Sequence, residues 1–106
     1  MGRSLREGTI AVLNAIRSRL AYGLDIVAET GMLPGTVYTT LRRLERRGWI
    51  EGRWEDAAVA EAERRPRRRY YTLTSEGQEA LERAEARLEE ASLRTTARAS
   101  APGRSG

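Results

Sequence analysis

The chain contains no cysteine and no histidine. Their absence removes disulfides, zinc sites built on thiolate or imidazole, thiol nucleophiles and imidazole acid–base chemistry together. Lysine is missing as well. All 19 basic residues are arginine, a bias that GC-rich coding produces by itself. No apolar run approaches the length needed to span a bilayer, and the N-terminus has neither the apolar block nor the cleavage site of a secretory signal. The Ser, Thr, Tyr and carboxylate groups that remain are not paired as a catalytic site requires, so an enzyme is not expected. These absences lead to the expectation of a soluble, cytoplasmic protein with no metal, no cofactor and no membrane partner.

What is present is enough for one small domain: 106 residues, 40% apolar and 32% charged, with ten Gly and three Pro. That composition is neither collagen-like nor wholly disordered. A core drawn from so short a chain is thin, and sharing it with a second copy is a natural remedy. The charge is unevenly spread. Residues 36–73 hold ten Arg against six acids, whereas residues 74–93 hold two Arg against six Glu. A basic middle followed by an acidic segment points to a polyanion-binding face separated from a different working surface.

Periodicity supplies the elements. Leu5, Val12, Leu13, Ile16 and Leu20 recur at helical spacing, which predicts a first helix over 6–17. A second, over 22–30, takes its apolar content from Leu24, Ile26, Val27 and Ala28 and ends at Gly31. Pro34 suits the first turn of a third helix, which runs to about residue 47 and stops at Gly48. The period then changes to two. In WIEGRWE (49–55), Ile50 and Trp54 share one face while Glu51 and Arg53 share the other. RRRYYTL (67–73) forms the partner strand, with Tyr71 and Leu73 on a common face. The polar stretch 56–66 between them reads as a long, mobile hairpin tip, against a high helix propensity over 57–64. Thr74 or Ser75 caps a last helix, with Ser75 and Gln78 spaced as a capping box. Leu81, Ala84, Leu88 and Ala91 repeat there at the spacing of a packed seam. Residues 94–106 are expected to be a disordered tail. The expected fold class is mainly α (α+β), a domain over 1–93 whose last helix spans 74–93.

The third helix points to function. At 100° per residue Val37, Leu41 and Leu44 face the core. Gly35, Thr39, Arg42 and Arg46 face away, flanked by Thr36 and Arg43, with Tyr38 on the shoulder. Hydroxyls and an aromatic near a helix N-terminus, with guanidinium groups further along, suit a DNA major groove. An Arg there matches guanine or a phosphate with two donors. The competing reading is a solvated Arg face. Arg64, Arg65, Arg67, Arg68 and Arg69 form the densest basic run. On a strand, Arg67 and Arg69 share one face and Arg68 the other, suited to clamping the backbone beside the groove. The alternative is an edge strand protected by charge. Helix–turn–helix plus basic hairpin is a known docking geometry.

These residues carry a resemblance to the PadR family of winged-helix transcriptional regulators. GTVYTTLRRLERRGWIEGRWE (35–55) and RPRRRYYTLTSEG (65–77) are its specific parts, with YGLDI (22–26) a weaker one. The likeness spans roughly residues 6–88. Leu24 departs from the family's usual aromatic, and Arg64–Arg65 from the usual Gly before Arg-Pro, beside a long wing tip. A single helix after the wing fits the short subfamily.

The resemblance implies a winged helix–turn–helix with a two-stranded wing and a C-terminal dimerisation helix. It also implies a homodimer on an inverted-repeat double-stranded DNA operator, usually repressing and often released by a small hydrophobic or aromatic effector. By that analogy Thr36, Tyr38, Thr39, Arg42 and Arg43 take recognition-helix positions, and Arg65, Arg67 and Arg68 wing positions. Tyr70, Tyr71 and Leu73 tie the wing to the core. Leu5, Val12, Leu81, Ala84, Leu88 and Ala91 are assigned to dimerisation through the terminal helices. An effector pocket between first and last helices would be lined by Val12, Ile16, Leu81 and Leu88. Trp49 and Trp54 are read as packing residues, Trp54 on the inward face with Ile50, rather than as ligand-stacking platforms. The alternative function is a winged-helix protein–protein adaptor that binds no DNA.

Overall fold

The computed structural model of the protein describes residues 5–18 and 22–100. Five helices and two strands follow in the order α1 (Leu5–Arg17), α2 (Gly23–Thr30), α3 (Pro34–Arg46), β1 (Ile50–Trp54), α4 (Ala57–Ala62), β2 (Arg69–Leu73) and α5 (Ser75–Ser100). The three predicted N-terminal helices, the hairpin and the last helix are all present, in the predicted order. Most boundaries differ from expectation by one or two residues, the end of α5 differs by more, and α4 is an element that was not expected.

The local reasons are those of the sequence. Tyr22 is extended, so α2 starts at Gly23, and Gly31 closes it in the left-handed region at φ 68°, its N–H donating to the Val27 carbonyl. Leu33 is extended and Pro34 occupies the first turn of α3, where a missing N–H costs nothing. Thr40, buried in mid-helix, satisfies its hydroxyl by donating to the Thr36 carbonyl at 2.8 Å. At the start of α5 the cap is Thr74 rather than Ser75. Its Oγ1 accepts the Gly77 N–H at 3.0 Å and donates to the Gly48 carbonyl at 2.6 Å. The expected Ser75–Gln78 box does not form, because the Gln78 amide donates to Glu82 instead.

One apolar cluster joins every major element. Val12, Leu13, Ala15 and Ile16 of α1 meet Ile26 of α2, Val37, Leu41 and Leu44 of α3, Ile50 and Tyr71 of the hairpin and Leu81 of α5. The strands pair antiparallel in the register Ile50↔Leu73, Gly52↔Tyr71 and Trp54↔Arg69. An isolated bridge between Tyr22 and Tyr70 adds the edge of the α1–α2 connection to the sheet. The result is a winged helix–turn–helix, mainly helical with a two-stranded sheet, as expected.

Two corrections concern elements and a third concerns burial. The tip over 56–66 is not an irregular loop: α4 fills it, N-capped by Asp56, whose carboxylate accepts the Ala58 N–H at 2.9 Å. The helix propensity of the Ala-rich stretch wins because that cap is present. The last helix does not end at 93 but continues to Ser100, since Ala, Leu and Arg extend it without a breaker until Pro102. Residues 101–106 of the expected tail lie outside the described residues. Finally, Val12 and Leu81 are each 0% exposed within the single chain. They are core residues and offer a second copy nothing to touch.

Candidate nucleic-acid interface

The exposed face of α3 carries Gly35, Thr36, Thr39, Arg42 and Arg46, as the helical period predicts. Arg42 lies 3.5 Å from the Thr39 hydroxyl, too long to hold it firmly. Neither Arg42 nor Arg46 has a carboxylate within salt-bridge distance among the described residues. Tyr38 is 38% exposed, and its ring lies against Gly23 at the start of α2. Arg43 departs from the expected set. Its guanidinium donates to Thr9 Oγ1 of α1, because α1 runs alongside the C-terminal half of α3 and captures that flank.

The wing is organised around Glu55. Its carboxylate accepts two N–H groups from Arg65 at 2.7 and 2.8 Å and the Arg68 backbone N–H at 3.1 Å. The side chain of Glu55 is only 7% exposed. Pairing with Arg65 holds its carboxyl down at about 2, and raises the Arg65 guanidinium in return. Arg65 is therefore the staple that closes the base of the α4 excursion and not a free phosphate clamp, a second correction to the expected set. Nothing in the sequence flagged Glu55, whose partner lies ten residues away across a helix.

Arg67 and Arg68 are placed differently. Arg67 donates twice to the Glu55 backbone carbonyl, at 2.9 and 2.8 Å. The Arg68 guanidinium lies 4.1 Å from the centroid of the Tyr22 ring, which meets Tyr70 edge-on at 5.7 Å. Both are fixed by neutral groups, and among the described residues no side-chain carboxylate lies within salt-bridge distance of either. Arg69 is held by Glu45 of α3 at 2.9 Å. The α4 tip itself is acidic, with Asp56, Glu61 and Glu63 near Arg64, so the positive charge of the wing is concentrated at its base. Burial pushes the Tyr71 phenol up, as fits a residue of the core.

Trp49 packs at the edge of the core with Arg47 over its ring at 4.2 Å. Trp54 shares the face of Ile50, as the alternation predicts, but is 59% exposed. The packing role expected for it is corrected: the wing carries that face beyond the core before residue 54 is reached.

The expected pocket lining is also corrected. Val12, Ile16 and Leu81 are closed into the core, and Leu88 is 47% exposed on α5. The cleft that exists, about 650 Å³, lies between α1, α3 and α5. Its floor is Ile10, Leu13, Leu44 and Trp49, and its rim carries Arg6, Arg43, Arg47, Arg83 and Arg87. Of the residues assigned to dimerisation, Leu88 and Ala91 are exposed and Ala84 is half-buried. The Leu5 side chain lies outside the described residues. Among the described residues no helix is long and apolar enough to cross a membrane, and no group of three or more Asp or Glu side chains is arranged to hold a metal ion.

Comparison with known proteins gives a consistent result. Residues 12–83, more than half of the chain, match the family described as "Transcriptional regulator PadR-like family". A PadR family transcriptional regulator from Eggerthella lenta is similar at 28% identity, with 92% of this chain and 87% of that one covered and a TM-score of 0.67. A protein of Streptococcus mutans superposes at a TM-score of 0.76 with 22% identity, covering 97% of this chain and 95% of its own. A PadR-like regulator from Bacillus cereus gives 0.69 at 23% identity, covering 87% and 90%. No curated protein matches.

Proposed function

This chain belongs to the PadR-like family of transcriptional regulators, and on that premise we propose that it is a sequence-specific DNA-binding protein acting as a homodimeric repressor in the cytoplasm. The observation that carries the reading is the outward face of α3, where Thr36, Thr39, Arg42 and Arg46 stand exposed and, among the described residues, no carboxylate lies within salt-bridge distance of the two guanidinium groups. Thr and Arg at those positions reach base edges and phosphates when the helix enters a major groove. Arg67 and Arg68 at the base of the wing hold the backbone alongside.

A second copy is supported by α5. Every described residue from Ala86 to Thr96 is exposed, including Leu88 and Leu93 at 47% and 63%, so the helix carries apolar surface its own chain does not use. Paired through these ends, the two α3 helices would stand about 34 Å apart, one turn of duplex. A small effector has its best seat in the cleft between α1, α3 and α5. The apolar floor admits an aromatic or hydrophobic body, and the arginine rim favours an acidic group on it.

Binding of labelled duplexes from the gene's own upstream region tests this reading. Arg42→Ala is expected to relax discrimination by about tenfold, the lower end of a bidentate contact. Arg67→Ala with Arg68→Ala weakens all duplexes alike and lowers the salt dependence, whereas Arg43→Ala, whose half-buried guanidinium donates to the Thr9 hydroxyl, changes discrimination less than Arg42→Ala does. If no duplex is bound at low salt, the reading fails.

A further inference from the structure

Trp54 is the most exposed aromatic side chain among the described residues, at 59%, yet it is not loose. The Arg69 guanidinium lies 5.3 Å from its ring centroid and that of Arg67 5.9 Å. Each is itself anchored. Arg69 reaches Glu45 of α3 by lying across Gly52, where any Cβ would stand 2.6 Å from its Nε. Arg67 is tied twice to the Glu55 carbonyl. The indole is thus flanked by two anchored cations while most of its surface meets solvent. A core residue has no use for such a support, but a contact platform does.

Its position gives the platform a purpose. Trp54 lies on the sheet face shared with Tyr71, which enters the core. It opens on a cavity of about 320 Å³ whose other walls include Leu24, Tyr38, Arg67 and Arg68. That cavity separates the start of α3 from the base of the wing. We propose that Trp54 is a DNA-contacting residue whose indole receives the apolar face of a deoxyribose in the strand passing between α3 and the wing, with Arg67 and Arg68 on the flanking phosphates. A nucleotide backbone combines anionic phosphates with apolar sugar faces, and the cavity wall combines guanidinium groups with aromatic rings. The inference rests on the DNA-binding reading above. Because a sugar carries no base identity, the contact adds affinity without sequence choice.

The full chain supplies the test. Trp49→Phe leaves Trp54 as the sole indole, and Trp54→Phe leaves Trp49 as the internal control. On titration with the upstream duplex, Trp54 emission is expected to change in step with the anisotropy of the labelled DNA while Trp49 emission stays flat. Trp54→Ala is expected to weaken every duplex by about tenfold, the scale of one aromatic contact to a nucleotide. If the labelled duplex is bound but Trp54 emission and the Trp54→Ala affinity are both unchanged, the contact does not exist and the DNA-binding reading stands. If no duplex is bound by any form, that reading falls and this inference with it.

Discussion

Replacing Leu81 by Ala separates what α5 does for its own chain from what it offers a second one. Leu81 is 0% exposed and lies in the cluster that joins α5 to Val12, Leu13 and Ile16 of α1. The substitution removes three carbon centres, about 2.4 kcal/mol of transfer free energy at about 0.8 kcal/mol each. A residual cavity of about 50 Å³ adds about 1.2 kcal/mol. A loss of about 3.5 kcal/mol is a large share of the 5–15 kcal/mol on the order expected for a small domain. It lowers Tm by about 15–25 °C. Urea unfolding reads this stability, and sedimentation equilibrium reads self-association separately. Leu88→Ala is the comparison, because Leu88 is 47% exposed. It should weaken association and leave the stability of the single chain within about 1 kcal/mol of the parent. Were Leu81→Ala to leave unfolding unchanged and weaken association instead, the assignment of Leu81 to the chain's own core would be refuted.

Further expectations concern the junctions that set the site's geometry. A Cβ at Gly77 would stand 2.0 Å from the Trp49 carbonyl oxygen, which accepts the Thr74 N–H at 3.1 Å. Gly77→Ala must therefore drive α5 away from the α3–β1 connection, at a cost of about 1–3 kcal/mol, and an unchanged thermal melt would contradict this. Acid should open the wing only at extreme pH. The Glu55 carboxyl is held at about 2 rather than 4.5, chiefly by Arg65. Its contribution to stability is complete above pH 4.5 and is lost as pH falls towards 2. Carboxyl carbon chemical shifts followed by NMR should show Glu55 still ionised well below pH 4.5, and Arg65→Ala should move its titration upwards.

Much of the architecture was legible because it rests on local, periodic signals. Pro34 and Gly31 mark real helix ends, Val37, Leu41 and Leu44 are buried as their spacing requires, and the residues that share a face on each hairpin strand follow from alternation. The face of α3 follows from the same arithmetic. What sequence could not resolve is where neighbouring elements cross. Arg43 is drawn from the outward face of α3 because α1 lies beside it. Arg65 is consumed by Glu55 because the α4 excursion brings the two together. The period of two correctly puts Trp54 on the face of Ile50, but it carries no information on how far the core extends beneath that face. Val12 and Leu81 show the same limit. An apolar seam reads alike whether it packs on its own chain or on another copy.

The measurement that bears most directly on the central claim is the dependence of affinity on half-site spacing in a synthetic inverted repeat. Two α3 faces held about 34 Å apart by paired α5 helices predict tightest binding when half-site centres lie one helical turn apart, with two chains bound per duplex and a steep loss when half a turn is inserted. Affinity that ignores the spacing, with one chain bound per site, would contradict the account.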